Sequence, residues 1–138
     1  TLDIDDMVAK GYSGADGDVF QLLEIPAGVL VLNAGAEVMK AFNSSVTADI
    51  DFAGGDDIVD GADVTSTGFC AAGTNGQTNT VVGSAASTYT QFVSTTDTID
   101  VTLAGAAPTT GRIRVYATVI DLNEQGAEPV AAARDAIG

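Results

Sequence analysis

The residues able to do chemistry are few, and the densest group is acidic. Asp49, Asp51, Asp56, Asp57, Asp60 and Asp63 fall between positions 49 and 63. Calcium takes several oxygen ligands from a flexible loop, and this stretch supplies the oxygens. It lacks the EF-hand spacing, however, with no closing Glu and no flanking helical pattern. The plainer reading is a solvated loop beside a strand whose polar face carries Asp49 and Asp51. Two of these carboxylates working as an acid/base pair on a sugar would need a pocket and an aromatic platform, and no second motif provides them. Cys70 lies between Phe69 and Ala71 in a chain without histidine, so a buried, inert thiol is expected. Among the serines there is no Gly-x-Ser-x-Gly, and no histidine to act as base. The glycine-rich stretches 15–18, 34–36 and 73–76 are turn chemistry, and none is a phosphate loop with its lysine. Arg112 and Arg114 share one strand face with Tyr116. They would pair with acids of a partner subunit or, within the chain, with Asp97 or Asp100. No catalytic, cofactor-binding or metal-ligating residue is assigned, and a non-enzymatic protein without cofactor is expected.

Composition narrows the classes further. The chain has 138 residues, 46% of them apolar, enough for one core that buries roughly two-thirds of the unfolded surface. Nineteen acidic residues against five basic ones give a net charge of −14. Lys10, Lys40, Arg112, Arg114 and Arg134 are too few for phosphate-driven nucleic-acid binding or for anchoring to an anionic membrane. The absence of histidine excludes His-based triads and His-ligated metals. One cysteine allows no internal disulfide, and no apolar run reaches the ~18 residues of a membrane helix. The acidic opening, Thr1 to Asp6, is unlike a signal peptide. Its small first residue fits either a trimmed initiator methionine or a mature form cut elsewhere.

The elements are strands. Arg112 to Leu122 alternates, with Ile113, Val115, Ala117 and Val119 on one face; the adjacent Val119 and Ile120 predict a bulge at its end. Thr98 to Leu103 alternates likewise, with Ile99, Val101 and Leu103 inward. The Gly/Pro segment 104–111 between them predicts an antiparallel hairpin with a long loop. Val46, Ala48, Ile50 and Phe52 mark the inner face of another strand. Earlier come a strand over Val19–Ile25, a turn at Pro26–Gly28, an apolar strand over Val29–Asn33 suited to cover on both faces, and a further strand over Ala36–Phe42. Asn43–Ser45 is a turn. Segments 64–70 and 87–93 suit short strands, with an extended loop over Ala71–Ser87 between them. The tail from Glu128 to Ile137 predicts one short helix opening at Pro129. Seven or eight short strands with turn signals give an all-β antiparallel sandwich or jelly roll. Segments 1–17 and 123–138 are read as N- and C-terminal arms on a sandwich over 18–122.

Three segments taken in order resemble a known family. They are Asp18–Gly28 leading into Ala34–Val38; Ile58–Val64 with its Asp60-Gly61-Ala62-Asp63 core; and Thr95–Leu103 followed by Ala107–Gly111 and the strand ending in Val119-Ile120-Asp121-Leu122. Over roughly residues 18 to 122 the chain is similar to the β-sandwich or jelly-roll decoration (cement) proteins of tailed-bacteriophage heads. The resemblance implies a virion structural protein on the outside of the capsid, with the major capsid protein and sister subunits of a homotrimer as partners, and with the terminal arms making lattice or subunit contacts. Avidity over a repeating shell would supply the affinity, and the acidic surface would keep the free protein from associating non-specifically. The resemblance carries no catalytic residue. The other reading is a phage tail, fibre or bacterial surface module that binds carbohydrate or calcium. The absence of Trp and the presence of only three Tyr count against a sugar platform.

Overall fold

The computed structural model describes residues 1–52, 58–71, 84–85 and 90–123. The C-terminal helix expected over 128–137 lies outside these residues, as do most of the 71–87 loop, Asp56 and Asp57. In chain order the elements are β1 (Leu2–Asp3), α1 (Ile4–Ala9), β2 (Val19–Ile25), β3 (Val29–Lys40), β4 (Val46–Phe52), β5 (Val59–Asp63), β6 (Gly68–Ala71), β7 (Ser84–Ala85), β8 (Gln91–Val93), β9 (Asp97–Gly105) and β10 (Arg112–Asp121). They form two five-stranded sheets. Sheet A runs β1-β10-β3-β6, with β8 also on β3; sheet B runs β2-β9-β4-β5-β7.

The pairings β1·β10, β2·β9, β3·β6 and β4·β5 are all antiparallel. They are the rungs of one long hairpin whose outermost pair joins the first and last strands of the described residues. Rolled up, this ribbon places β10 beside β3 and β9 beside β4, so alternate pairs fall in opposite sheets. That is the jelly-roll arrangement of an all-β sandwich, as expected from the alternating pattern.

Period-two alternation builds the core between the sheets. Val29, Val31, Ala34, Ala36, Val38, Ile113 and Val115 come from sheet A. Val46, Ala48, Ile50, Phe52, Ile99, Val101 and Leu103 come from sheet B; all are buried. Each larger aliphatic so placed contributes about 1.5–3 kcal/mol. The bulge expected at Val119 is present: the β10–β3 register shifts between Thr118 and Val119.

Four expectations are corrected. β9 and β10 are not a hairpin; they lie in different sheets, each between two partners distant in sequence. Segment 106–111 therefore crosses from one sheet to the other. It is stapled to the neighbouring crossing at 43–45, which runs the opposite way: Asn43 Oδ1 accepts from the amides of Thr109 (2.9 Å) and Thr110 (3.2 Å), and Ser44 Oγ donates to the Ala106 carbonyl at 2.8 Å. Gly111 closes this crossing at φ 145°, where a Cβ would stand 2.5 Å from the Phe42 ring.

The two strands read at 29–33 and 36–42 are one 12-residue strand. Its first half is not covered on both faces, because Leu32 is exposed. The acidic stretch is not simply a solvated loop, since Val59–Asp63 is strand β5 with Val59 and Ala62 buried. Its apolar residues stand three apart because of a bulge: Ala48 pairs with Ala62 and Ile50 with Val59, leaving Asp60 and Gly61 opposite Asp49. Gly61 takes φ 64° there, a conformation that favours glycine.

Residues 1–17 are not a free arm. Leu2 pairs with Ile113 across β1 and β10, and Ile4 is fully buried. Asp3 caps α1 by accepting from the Asp6 amide at 3.3 Å, and Asp5 and Asp6 place negative charge in the first turn, where the helix dipole favours it. Gly11, at φ 83°, ends the turn in the left-handed region. A Cβ built on Gly14 would meet Leu103 Cδ1 at 3.1 Å, Ile4 Cδ1 at 3.4 Å and Phe20 Cζ at 3.8 Å. Ile4 thus closes one end of the sandwich against sheet B.

Candidate functional site

Sheet B carries the acids. Its strands hold Glu24, Asp49, Asp51, Asp60, Asp63, Asp97 and Asp100, and β2, β4, β5 and β9 contain no lysine or arginine. Several of these carboxylates hold the backbone. Asp49 Oδ1 accepts from the Gly61 amide at 2.7 Å, which fixes the β5 bulge. Asp63 Oδ1 accepts from the Thr65 hydroxyl (2.6 Å) and amide (2.9 Å), and these two bonds hold its carboxyl below the usual aspartate range. Asp51 and Asp100 are register partners on β4 and β9, and both are buried; the Thr98 hydroxyl donates to Asp100 at 2.6 Å. Among the described residues no three acidic or sulfur groups converge on a cation position.

Cys70 is buried on the inner side of β6, with its thiol directed at the Ala36 carbonyl, 3.8 Å away. Burial pushes the thiol up to about 11, so it is protonated at neutral pH. The two arginines are paired within the chain, but not with Asp97 or Asp100. Arg112 holds Asp3 through Nε (2.7 Å) and Nη2 (2.6 Å), and Arg114 holds Glu37. These partners follow from β10 lying between β1 and β3 instead of beside β9. Lys40, at the end of β3, holds Asp5 at 2.6 Å. That contact, with the Gly111 amide 3.3 Å away, lowers the Asp5 carboxyl.

The feature that residue-by-residue reading missed is the outer face of sheet A. Inward Val38, Ala36 and Cys70 alternate with outward Met39, Glu37 and Phe69. Phe69, Glu37 and Arg114 lie in one row across β6, β3 and β10. Phe92, Leu30 and Ile120 form a second row across β8, β3 and β10. Phe69 and Phe92 are each 53% exposed, Met39 43%, and Leu32 and Ile120 39%. Tyr116, opposite Gly35, lies between the rows half-buried, and burial raises its phenol. The signal was present in sequence as the apolar residues left on the wrong parity of β3, β6 and β8. It is legible only once three strands far apart in the chain are known to be neighbours.

Two open clefts flank these surfaces. One, of about 470 Å³, is lined by Ser45, Val46, Thr47, Asp63 and Thr65 with Ala104 and Gly105; the other, of about 490 Å³, lies between Glu37–Met39 and Thr67–Phe69. In the first, the Thr65 hydroxyl donates to Asp63 at 2.6 Å. Among the described residues no helix is long and apolar enough to cross a membrane. Compared with protein-family models, curated proteins and solved structures, the chain finds no match.

Proposed function

We propose that the chain is a non-enzymatic structural protein of a tailed-phage virion, which binds the major capsid protein from outside and stabilises the shell lattice. The observation that supports this reading most is the strand order, a rolled antiparallel ribbon whose outer rung joins β1 to β10. Jelly rolls of this kind serve in viral shells, in lectins and in cupins. A shared fold does not fix a function, so the residues must choose among them. Cupin chemistry rests on a histidine-ligated metal, and this sequence has no histidine. A lectin needs ring faces beside converging polar groups. Of the exposed rings, Phe69 instead stands in a row with Glu37 and Arg114 and Phe92 in a row with Leu30 and Ile120, on one sheet face, while Tyr12 stands apart after α1. An exposed sheet face with aromatic and aliphatic side chains suits contact with another protein surface.

The test is decoration. Purified protein titrated onto undecorated shells should co-sediment saturably and raise the temperature at which the shells dissociate. No saturable binding to shells, together with binding to a glycan panel, would transfer the protein to the surface-module class.

A further inference from the structure

We infer that the outer edge of β10 is a pairing site for a second copy of this chain, the two β10 strands lying antiparallel about a two-fold axis at Val119. The inference goes beyond the virion reading and stands on the sheet edge alone.

β10 is paired along its whole length on one side and over two residues on the other. β3 runs beside it from Arg112 to Asp121, whereas β1 meets Arg112 and Ile113. Ile4, next in the β1 line, donates its amide to the Gly111 carbonyl at 2.9 Å; at the far end the Leu122 amide donates to the Gly28 carbonyl, just before β3. Main-chain groups alternate in direction along a strand. Odd-numbered residues of β10 therefore turn theirs away from β3, and even-numbered ones turn theirs towards it. Val115, Ala117, Val119 and Asp121 each present an N–H and a C=O to the outer edge. Among the described residues no strand, turn or side chain pairs with these groups.

The other edge strands are short or guarded. β6, β7 and β8 have four, two and three residues. β2 carries Glu24 and a register shift between Gln21 and Leu23. Short strands, charges and bulges are the devices by which sheets avoid pairing with other chains. The β10 edge uses none of them: Val115 to Ile120 is uncharged, and Val119, Ile120 and Leu122 are 44%, 39% and 38% exposed.

Charge and register select the occupant. The chain carries −14 overall, so two copies repel over most of their surface, and an uncharged edge is where they can approach. The segment also complements itself, as an isologous contact requires. In an antiparallel pair, opposed residues share a face and a hydrogen-bonding side. The β1 line, extended by Thr1, occupies the edge as far as Arg114. The fullest pairing that clears it places the axis at Val119. Ala117 then faces Asp121 of the other copy, Thr118 faces its Ile120 and Tyr116 faces its Leu122, so no like charges stand opposite each other. About six main-chain hydrogen bonds form. The two copies of sheet A become one continuous sheet whose outer face stays uncovered, so pairing does not compete with a shell for that face.

The contact is small. Residues 115–123 at about 3.3 Å each, on a sheet about 10 Å thick, give an edge on the order of 300 Å² per copy, below the size of a stable complex. The pair should therefore be weak and concentration-dependent. It should tighten with salt, which screens the repulsion between two acidic copies.

Sedimentation equilibrium up to about millimolar protein tests this. The average mass should rise from 13.8 kDa towards twice that value, and further at high salt than at low. Val119→Pro removes an N–H that faces the other copy and leaves the β3 ladder intact, at an edge position where sheets tolerate proline. It should keep its fold, checked by circular dichroism, and stay at one chain. Val119→Cys places two thiols at the axis, about 5.5 Å apart at Cα, within disulfide reach. Mild oxidation should link it into pairs, while Thr118→Cys and Asp121→Cys, which face Ile120 and Ala117, should link at least about tenfold less; Cys70 is buried and does not compete. A parent that stays at one chain up to about millimolar overturns the proposal, and so does a mass of three chains. Pairing that survives Val119→Pro, or equal linking at positions 118, 119 and 121, overturns it as well. Each of these results is independent of whether the protein decorates shells.

Discussion

Replacing Ile4 with alanine separates an integrated N-terminus from an arm. Ile4 is fully buried, follows a strand that pairs with β10, and donates its amide to the Gly111 carbonyl at 2.9 Å. Its side chain reaches the same point near Gly14 as Leu103 of sheet B, so truncation opens a void at the end of the core where neither sheet can readily collapse. Buried Ile-to-Ala changes cost about 2–5 kcal/mol through lost transfer energy and the residual cavity. With a urea dependence of about 2 kcal/mol per molar for a small domain, the unfolding midpoint should fall by roughly 1–2.5 M. The assay is equilibrium urea unfolding followed by circular dichroism, with Val8→Ala, on the exposed side of α1, as control. A shift no larger than the control, within about 0.5 kcal/mol as for surface sites, would refute the integration of residues 1–17 into the sandwich.

Three further outcomes follow from single contacts. Gly111→Ala must take φ 145° and displace the Phe42 ring from 2.5 Å; backbone strain of about 1–3 kcal/mol and overpacking of similar size should lower the melting temperature well beyond Gly17→Ala. Gly17 also has positive φ but open space around it, and equal losses in the two variants would contradict the close approach. The Cys70 thiol, pushed up to about 11 by burial, should resist a thiol reagent at pH 8 in the folded protein and react once urea unfolds it; rapid native labelling would contradict its placement. Asp5 has a folded-state pKa below its unfolded one, so its contribution is present above the ordinary aspartate range and is lost as pH falls through the folded value. The stability gap between the parent and Asp5→Asn should therefore close below about pH 4; a gap that widens with acid would reverse the assignment.

What was legible in the sequence was local. Alternation identified the inner faces of β4 and β9, and that of β10 from Ile113 to Ala117, and the adjacent Val119 and Ile120 located the bulge, because a period of two records which side chains meet the core; past the bulge Val119, read on the same face, is 44% exposed. It does not record which strand lies alongside. β9 and β10 are consecutive and joined by turn residues, which is how a hairpin looks; only the competition of β3 and β4 for the same edges, a non-local matter, sends them to opposite sheets. β5 was hidden for a different reason. The Gly61 bulge sets Val59 and Ala62 three apart and breaks the period, while the surrounding aspartates make the segment look solvated. The N-terminal segment read as an arm because Leu2 and Ile4 are two apolar residues among acids, too short a pattern to count. The candidate surface on sheet A needed all of these pairings at once, and so it could not be read from any one strand.

Counting this chain in purified virus particles tests the central claim most directly. Quantitative peptide mass spectrometry should find it in copy numbers commensurate with the major capsid protein, and a mild wash that leaves the shell whole should release it as intact protein. Its absence from particles, or its presence in only the few copies expected of a tail or fibre component, would contradict the assignment to the capsid exterior.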